Sequence, residues 1–115
     1  MDSPVLLHGD LQHYNILSAG RQPWLAIDPK GVIGEPACEV GALLRNPSRV
    51  LQSADIIPIT ARRIDQLSEE LDLDRSRVWG WGLAQAVLSA WWSFEDLGRG
   101  WEGAIALADA ISQIP

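Results

Sequence analysis

Three oxygen-bearing side chains stand at the edges of short apolar runs. Val5-Leu6-Leu7 gives way to His8-Gly9-Asp10, Asn15 opens the run Asn15-Ile16-Leu17, and Trp24-Leu25-Ala26-Ile27 stops at Asp28. A carboxylate at a strand edge can orient an attacking hydroxyl and take its proton. A second carboxylate and an amide oxygen are hard ligands of the kind Mg²⁺ prefers to nitrogen or sulfur. One base with two such ligands is what phosphoryl transfer from a nucleotide asks of a protein. Asp10 suits the first task; Asn15 and Asp28 suit the second. Asp and Asn also collect at caps and turns for local reasons, and either Asp alone reads that way. The three in this order carry the chemical reading.

Asp10 and Asn15 are five positions apart, the separation within the H-R-D-x-x-x-x-N loop of protein kinases, and Asp28 lies where a metal-binding D-F-G Asp would fall. HGDLQHYNIL followed by IDPKGVIGEPACEVGALLRNP resembles the aminoglycoside phosphotransferases, and more closely their streptomycin 6-kinase and hydroxyurea kinase branch. The motifs cover about Leu6 to Pro47, with a looser likeness through the rest. The resemblance implies transfer of the ATP γ-phosphate to a hydroxyl of a small molecule. It gives Asp10 the place of the catalytic base and Asn15 and Asp28 those of the Mg²⁺ ligands. His8, Glu35 and Glu39 are expected to brace the loop. Two departures stand out: Gln12 replaces the usual His of HGDLH, and the common GDPxxD element reads Gly34-Glu35-Pro36-Ala37-Cys38-Glu39.

The resemblance also implies a fold: α+β, the mostly helical C-terminal lobe of a protein-kinase-like fold, with a small β-hairpin carrying the catalytic loop. The chain reads as one domain, with the loops in residues 1–34 and a helical part in 35–115. Pro4 leads into the first strand, a hairpin turn falls at Gly20 to Pro23, and Asp28-Pro29-Lys30-Gly31 forms a further turn. A helix starts near Pro36 and ends at Asn46-Pro47. Thr60 is the expected N-cap of a helix through Leu71. Asp74 caps the longest helix, Arg75 to Leu97, along which Val78, Trp81, Ala84 (or Gln85), Leu88, Trp91 and Glu95 step at three- and four-residue intervals. Gly98-Arg99-Gly100 breaks it, and a last helix runs from Trp101 to Ile114. Gly80 and Gly82 are expected to admit close helix packing, and the tryptophans of the last two helices to pack in the core and between helices, with one of each adjacent pair such as Trp91-Trp92 meeting another element or lying exposed. Of the acidic residues on these helices, Glu95 and Asp96 are the expected contacts for the ammonium groups of an antibiotic, as acidic groups from such helices serve in related enzymes.

Composition limits the partners. Net charge is −6 over 115 residues, which argues against nucleic acid, since binding phosphates needs clustered Lys and Arg. An acidic surface attracts polycations, aminoglycosides among them. The single cysteine, Cys38, forms no internal disulfide, no apolar run reaches 18 residues, and the start lacks a signal-peptide pattern. A cytoplasmic protein with no membrane partner is expected. His8 and His13 beside Asp10 lack zinc-site spacing. No G-x-S-x-G supports a serine hydrolase, and a glycosidase pair of Asp10 with Asp28 leaves Asn15 unexplained.

A kinase also needs a glycine-rich loop and a phosphate-binding Lys. Neither precedes Asp10, and Lys30, the only lysine, sits after Asp28. The chain is thus expected to hold the catalytic and metal half of a kinase site with the N-terminal nucleotide-binding lobe absent. Surfaces facing that lobe should be apolar, and a homodimer or an element swap would cover them. The alternative is a non-catalytic folded remnant, or a self-associating interaction module without turnover.

Overall fold

Two small antiparallel ladders and four helices make up the computed structural model, which describes residues 3–115. Strand β1 (Val5–Leu7) pairs with β4 (Val32–Gly34), and β2 (Ile16–Ser18) pairs with β3 (Trp24–Ala26). This corrects the single hairpin expected to carry the Asp10 loop. The loop instead leaves β1 and bridges the two ladders, because the chain returns to β1 only after Asp28. Lys30 and Gly31 donate their N–H groups to the His8 carbonyl, at 2.6 and 3.1 Å. Gly31 has a positive φ of 69°. The hairpin turn from residue 19 to 23 lies where Gly20 and Pro23 predict it.

The helical part begins at Pro36 with a 3-10 turn (Pro36–Val40) that runs into the short helix α1 (Gly41–Leu44). A second 3-10 turn (Ser48–Gln52) leads to α2 (Ile56–Glu70). Helix α2 starts a turn earlier than the Thr60 cap predicts. Pro58 sits in the first turn, where its missing N–H would have had no helical partner. Thr60 is fully buried in the second turn, and its hydroxyl has no hydrogen-bond partner.

Helix α3 (Arg75–Leu97) obeys local rules at both ends. The Asp74 carboxylate accepts from Ser76 N at 2.9 Å and Arg77 N at 3.4 Å, the geometry of an N-cap. Gly98 adopts φ 65° and closes the far end with its N–H on the Phe94 carbonyl. The buried stripe, however, is Val78, Gly82, Ala86 and Ala90. Small residues at four-residue spacing let α3 lie close to α1 and to α4 (Glu102–Ser112); a Cβ on Gly82 would stand 2.9 Å from Leu44 Cδ1 and 3.4 Å from Ile111 Cδ1. Gly80, by contrast, faces open space. Leu88 and Trp91 are exposed, and so is Trp92, where only one of that adjacent pair is expected outside the core.

The core gathers Val40, Leu44, Ile64, Val78, Ala86, Leu107 and Ile111 from all four helices and the first 3-10 turn. Trp79 packs at its edge and donates its indole N–H to the Ile111 and Ile114 carbonyls, at 3.0 and 2.8 Å. Among the described residues, no helix is long and apolar enough to cross a membrane.

Candidate active site

The Asp10 loop is fixed from three directions. From below, the Glu39 carboxylate accepts the backbone N–H groups of His8 (2.7 Å) and Gly9 (3.1 Å). Glu39 lies on the turn that Pro36 starts, so the helical part holds the loop directly. From the side, the His8 ring spans two chains: Nε2 meets the Ile27 carbonyl at 2.7 Å and Nδ1 accepts the Asp10 N–H at 3.2 Å. Both contacts are satisfied when the ring hydrogen sits on Nε2. Gly9 completes the clasp. Its φ is 90°, and a Cβ there would lie 2.5 Å from Val32 Cγ2, so only glycine fits.

Within the loop, Asn15 is buried and its amide nitrogen donates twice to Asp10, to the carbonyl at 2.8 Å and to Oδ2 at 3.1 Å. Gln12 Nε2 approaches both Asp10 carboxylate oxygens, at 3.3 and 3.4 Å. Asp10 and Asn15 are thus brought into direct contact. Next to Asp28 in the chain, Ile27 donates its N–H to the Asn15 carbonyl at 2.8 Å and offers its own carbonyl to His8 at 2.7 Å. Asp28 follows at φ 55°, a left-handed conformation that Asp tolerates better than most residues.

The donor set fits a hard divalent cation. Both Asn15 amide hydrogens are spent on Asp10, which leaves Oδ1 as a free acceptor. The exposed Asp28 carboxylate takes no hydrogen bond or ion pair among the described residues. An amide oxygen and a carboxylate, completed by water and phosphate oxygens, are typical Mg²⁺ ligands. No group of three or more His, Cys, Asp or Glu side chains gathers for a metal among the described residues, so protein carboxylates and nitrogens alone do not form a site.

Behind the loop lies a buried anchor. Glu35 accepts from Arg77 Nε (2.7 Å) and Nη2 (2.6 Å) and from the Trp81 indole (2.8 Å). The Arg77 hydrogen bonds, with help from Trp81, hold the Glu35 carboxyl down to about 2. Arg77 and Trp81 are one turn apart on α3, so Glu35 ties that helix to the turn bearing Glu39. Sequence reasoning named Glu35 but not its partners, which lie 42 and 46 positions away.

A second network runs from Cys38. Gln85 Nε2 donates to the Cys38 carbonyl (2.9 Å) and approaches its sulfur (3.0 Å), while Arg45 donates to Gln85 Oε1 (3.0 Å). Burial raises the half-buried Cys38 thiol, which disfavours the reactive thiolate. Burial also lowers the Arg45 guanidinium, and the Asp10 charge opposes that shift, placing Arg45 within electrostatic reach of Asp10. Nearer the loop's far side, burial lowers His13, with Arg63 and Arg49 adding to the effect. Arg63 itself donates to the carbonyls of Leu43 and Asn46 and so covers the end of α1.

Glu95 and Asp96 are exposed near the end of α3. They lie ten and eleven residues beyond Gln85, about 15 Å of helix, and share no hydrogen bond with the loop among the described residues. A cleft of about 600 Å³ opens instead between the Ser48–Gln52 turn and helices α3 and α4.

Comparison with known proteins decides the family. Residues 3–97 match the model of the aminoglycoside/hydroxyurea antibiotic resistance kinases. The chain belongs to this family. Streptomycin 6-kinase of Streptomyces griseus is 39% identical over 110 residues, covering 94% of this chain and 36% of that protein. Hydroxyurea phosphotransferase of Kitasatospora aureofaciens is 38% identical over 91 residues, or 79% of this chain and 25% of that protein. Streptomycin 3''-kinase of Klebsiella pneumoniae is 34% identical over 93 residues, with shares of 78% and 35%. The chain therefore spans about a third of the length of the curated relatives it matches. No solved structure matches it. An α+β arrangement of four helices and two small ladders is consistent with a fragment of a kinase-like fold in this family.

Proposed function

We propose that this chain is the catalytic-loop portion of an ATP- and Mg²⁺-dependent phosphotransferase that acts on an alcohol of an aminoglycoside-like small molecule, as its relatives' names suggest. The observation that carries the reading is the Asn15 amide gripping Asp10 while Glu39 and His8 hold the loop from outside it. In this reading Asp10 orients the acceptor hydroxyl and takes its proton as the oxygen attacks. Asn15 fixes the Asp10 carboxylate and turns Oδ1 outward, and Asp28 offers a second oxygen. Mg²⁺ held by Asn15 and Asp28 would neutralise charge on the nucleotide phosphates. The chain spans about a third of its relatives' length, so the test is made in a full-length kinase carrying this segment. Asp10→Asn should lower kcat by about 10²- to 10⁴-fold with streptomycin as acceptor, with little change in ATP binding. Turnover near that of the unsubstituted enzyme would refute the assignment.

A second reading has its own support. Leu6 and Ile33 on the β1–β4 ladder are more than 70% exposed, and Trp91, Trp92, Phe94 and Leu97 are exposed along the last turns of α3. Such surfaces suit a module that associates with itself and turns nothing over. Incubating the isolated chain with ATP, Mg²⁺ and streptomycin separates the readings: phosphorylated product favours the enzyme, and association without product favours the module.

A further inference from the structure

The stem of Lys30, the only lysine in the chain, lies on the catalytic loop. Its backbone N–H donates to the His8 carbonyl at 2.6 Å, which pins the turn after Asp28 to the strand end that precedes Asp10. A Cβ on Gly9 would stand 2.9 Å from Lys30 Cβ and 3.6 Å from Lys30 Cγ. Glycine at position 9 thus does more than accept a φ of 90°: it clears the space that the lysine stem crosses. Gly9 adjoins Asp10, and Lys30 is two residues beyond Asp28. Both carboxylates are therefore local to the root of a flexible four-carbon stem that ends in an ammonium.

The charge of that ammonium is uncommitted. Lys30 is exposed, and its side chain takes no hydrogen bond or ion pair among the described residues. Arg45, Arg63 and Arg77 are each engaged elsewhere: with Gln85, with the Leu43 and Asn46 carbonyls, and with Glu35. The loop itself carries Asp10, rests on Glu39 and leads to Asp28, in a chain of net charge −6. A nucleoside triphosphate entering so acidic a site needs positive charge beyond that of its metal ion. Phosphoryl transfer spreads negative charge over the oxygens of the moving group, and a cation already in place there stabilises the transition state.

We propose that Lys30 is a catalytic residue of the transfer step, its ammonium meeting the γ-phosphoryl oxygens as that group passes to the acceptor. The acceptor oxygen forms the new bond to phosphorus. The bond from phosphorus to the β,γ-bridging oxygen breaks, with its electron pair left on ADP, and Asp10 takes the hydroxyl proton. Lys30 keeps its own proton throughout and acts by charge alone. The proposal rests on the phosphotransferase reading and adds the cation that this segment brings to the phosphate.

The test uses a full-length kinase carrying this segment, with streptomycin as acceptor. Lys30→Met should lower kcat by about 10²- to 10³-fold, with acceptor KM moving less. Lys30→Arg, which keeps the charge, should recover most of that loss. A second readout needs no turnover: acylation of Lys30 by an amine-reactive ester, followed by peptide mass spectrometry. Labelling should slow several-fold in Mg²⁺ and a non-hydrolysable ATP analogue, and change little in Mg²⁺ and ADP, which lacks the γ-phosphate. Equal labelling under the two nucleotides, or Lys30→Met turning over near the unsubstituted rate, would overturn the proposal. The two readings fail separately. An inactive Asp10→Asn beside a fully active Lys30→Met sinks only the lysine, whereas turnover by Asp10→Asn sinks the kinase reading.

Discussion

Glu39 and Glu35 do different work four positions apart. Glu39 holds the main chain of the loop, and its loss frees Asp10 to drift. Displacement of about 1 Å at a reacting group costs around a hundredfold in rate. Glu39→Ala in the complete kinase should therefore lower kcat by about that factor, with acceptor KM moving less. Glu35 holds the scaffold behind it. Its folded carboxyl sits at about 2, below the ordinary 4.5, because Arg77 and Trp81 bind the ionised form. That stabilisation is complete above pH 4.5 and is lost as pH falls toward 2. Urea midpoints measured across this window should fall with pH, and Glu35→Gln should flatten the slope. Thr60 offers the opposite case: its buried hydroxyl is unpaired, so Thr60→Val should stabilise the chain by about 1 kcal/mol in urea unfolding.

At the scale of elements, what could be read from the sequence followed the range of each interaction. Asp74 and Gly98 obey rules that act within one turn, and both ends of α3 lie where those residues predict. Asp10, Asn15 and Asp28 stood out because each breaks an apolar run. The start of α2 was not legible, because a proline inside a helix and one in its first turn look alike in one dimension. The α3 stripe misled for another reason: bulky residues suggest a core, but here Gly82 and Ala86 let the backbones approach while Trp91 and Trp92 lie outside. Glu35 with Arg77 and Trp81 was beyond local reasoning. Close approach has a cost when disturbed. Gly82→Ala would set a methyl 2.9 Å from Leu44 and should destabilise the chain by about 1–3 kcal/mol, read as a lower urea midpoint. Gly80→Ala, in open space, should be neutral or mildly stabilising.

Over the whole molecule, apolar side chains are exposed on two separate elements, the β1–β4 ladder and the last turns of α3. Two different sticky faces favour head-to-tail contacts, which grow rather than close. Light scattering of the isolated chain should show mass rising with concentration, and Leu6→Lys with Ile33→Lys should suppress it. A strict monomer at high concentration would remove the module reading. The tryptophans make such contacts visible without labels. Trp24 is exposed on the β2–β3 ladder, and Trp91 and Trp92 are exposed at the far end of α3. An indole passing from water into a contact shifts its emission to the blue, so Trp24→Phe and Trp91→Phe chains would report which end the neighbour occupies.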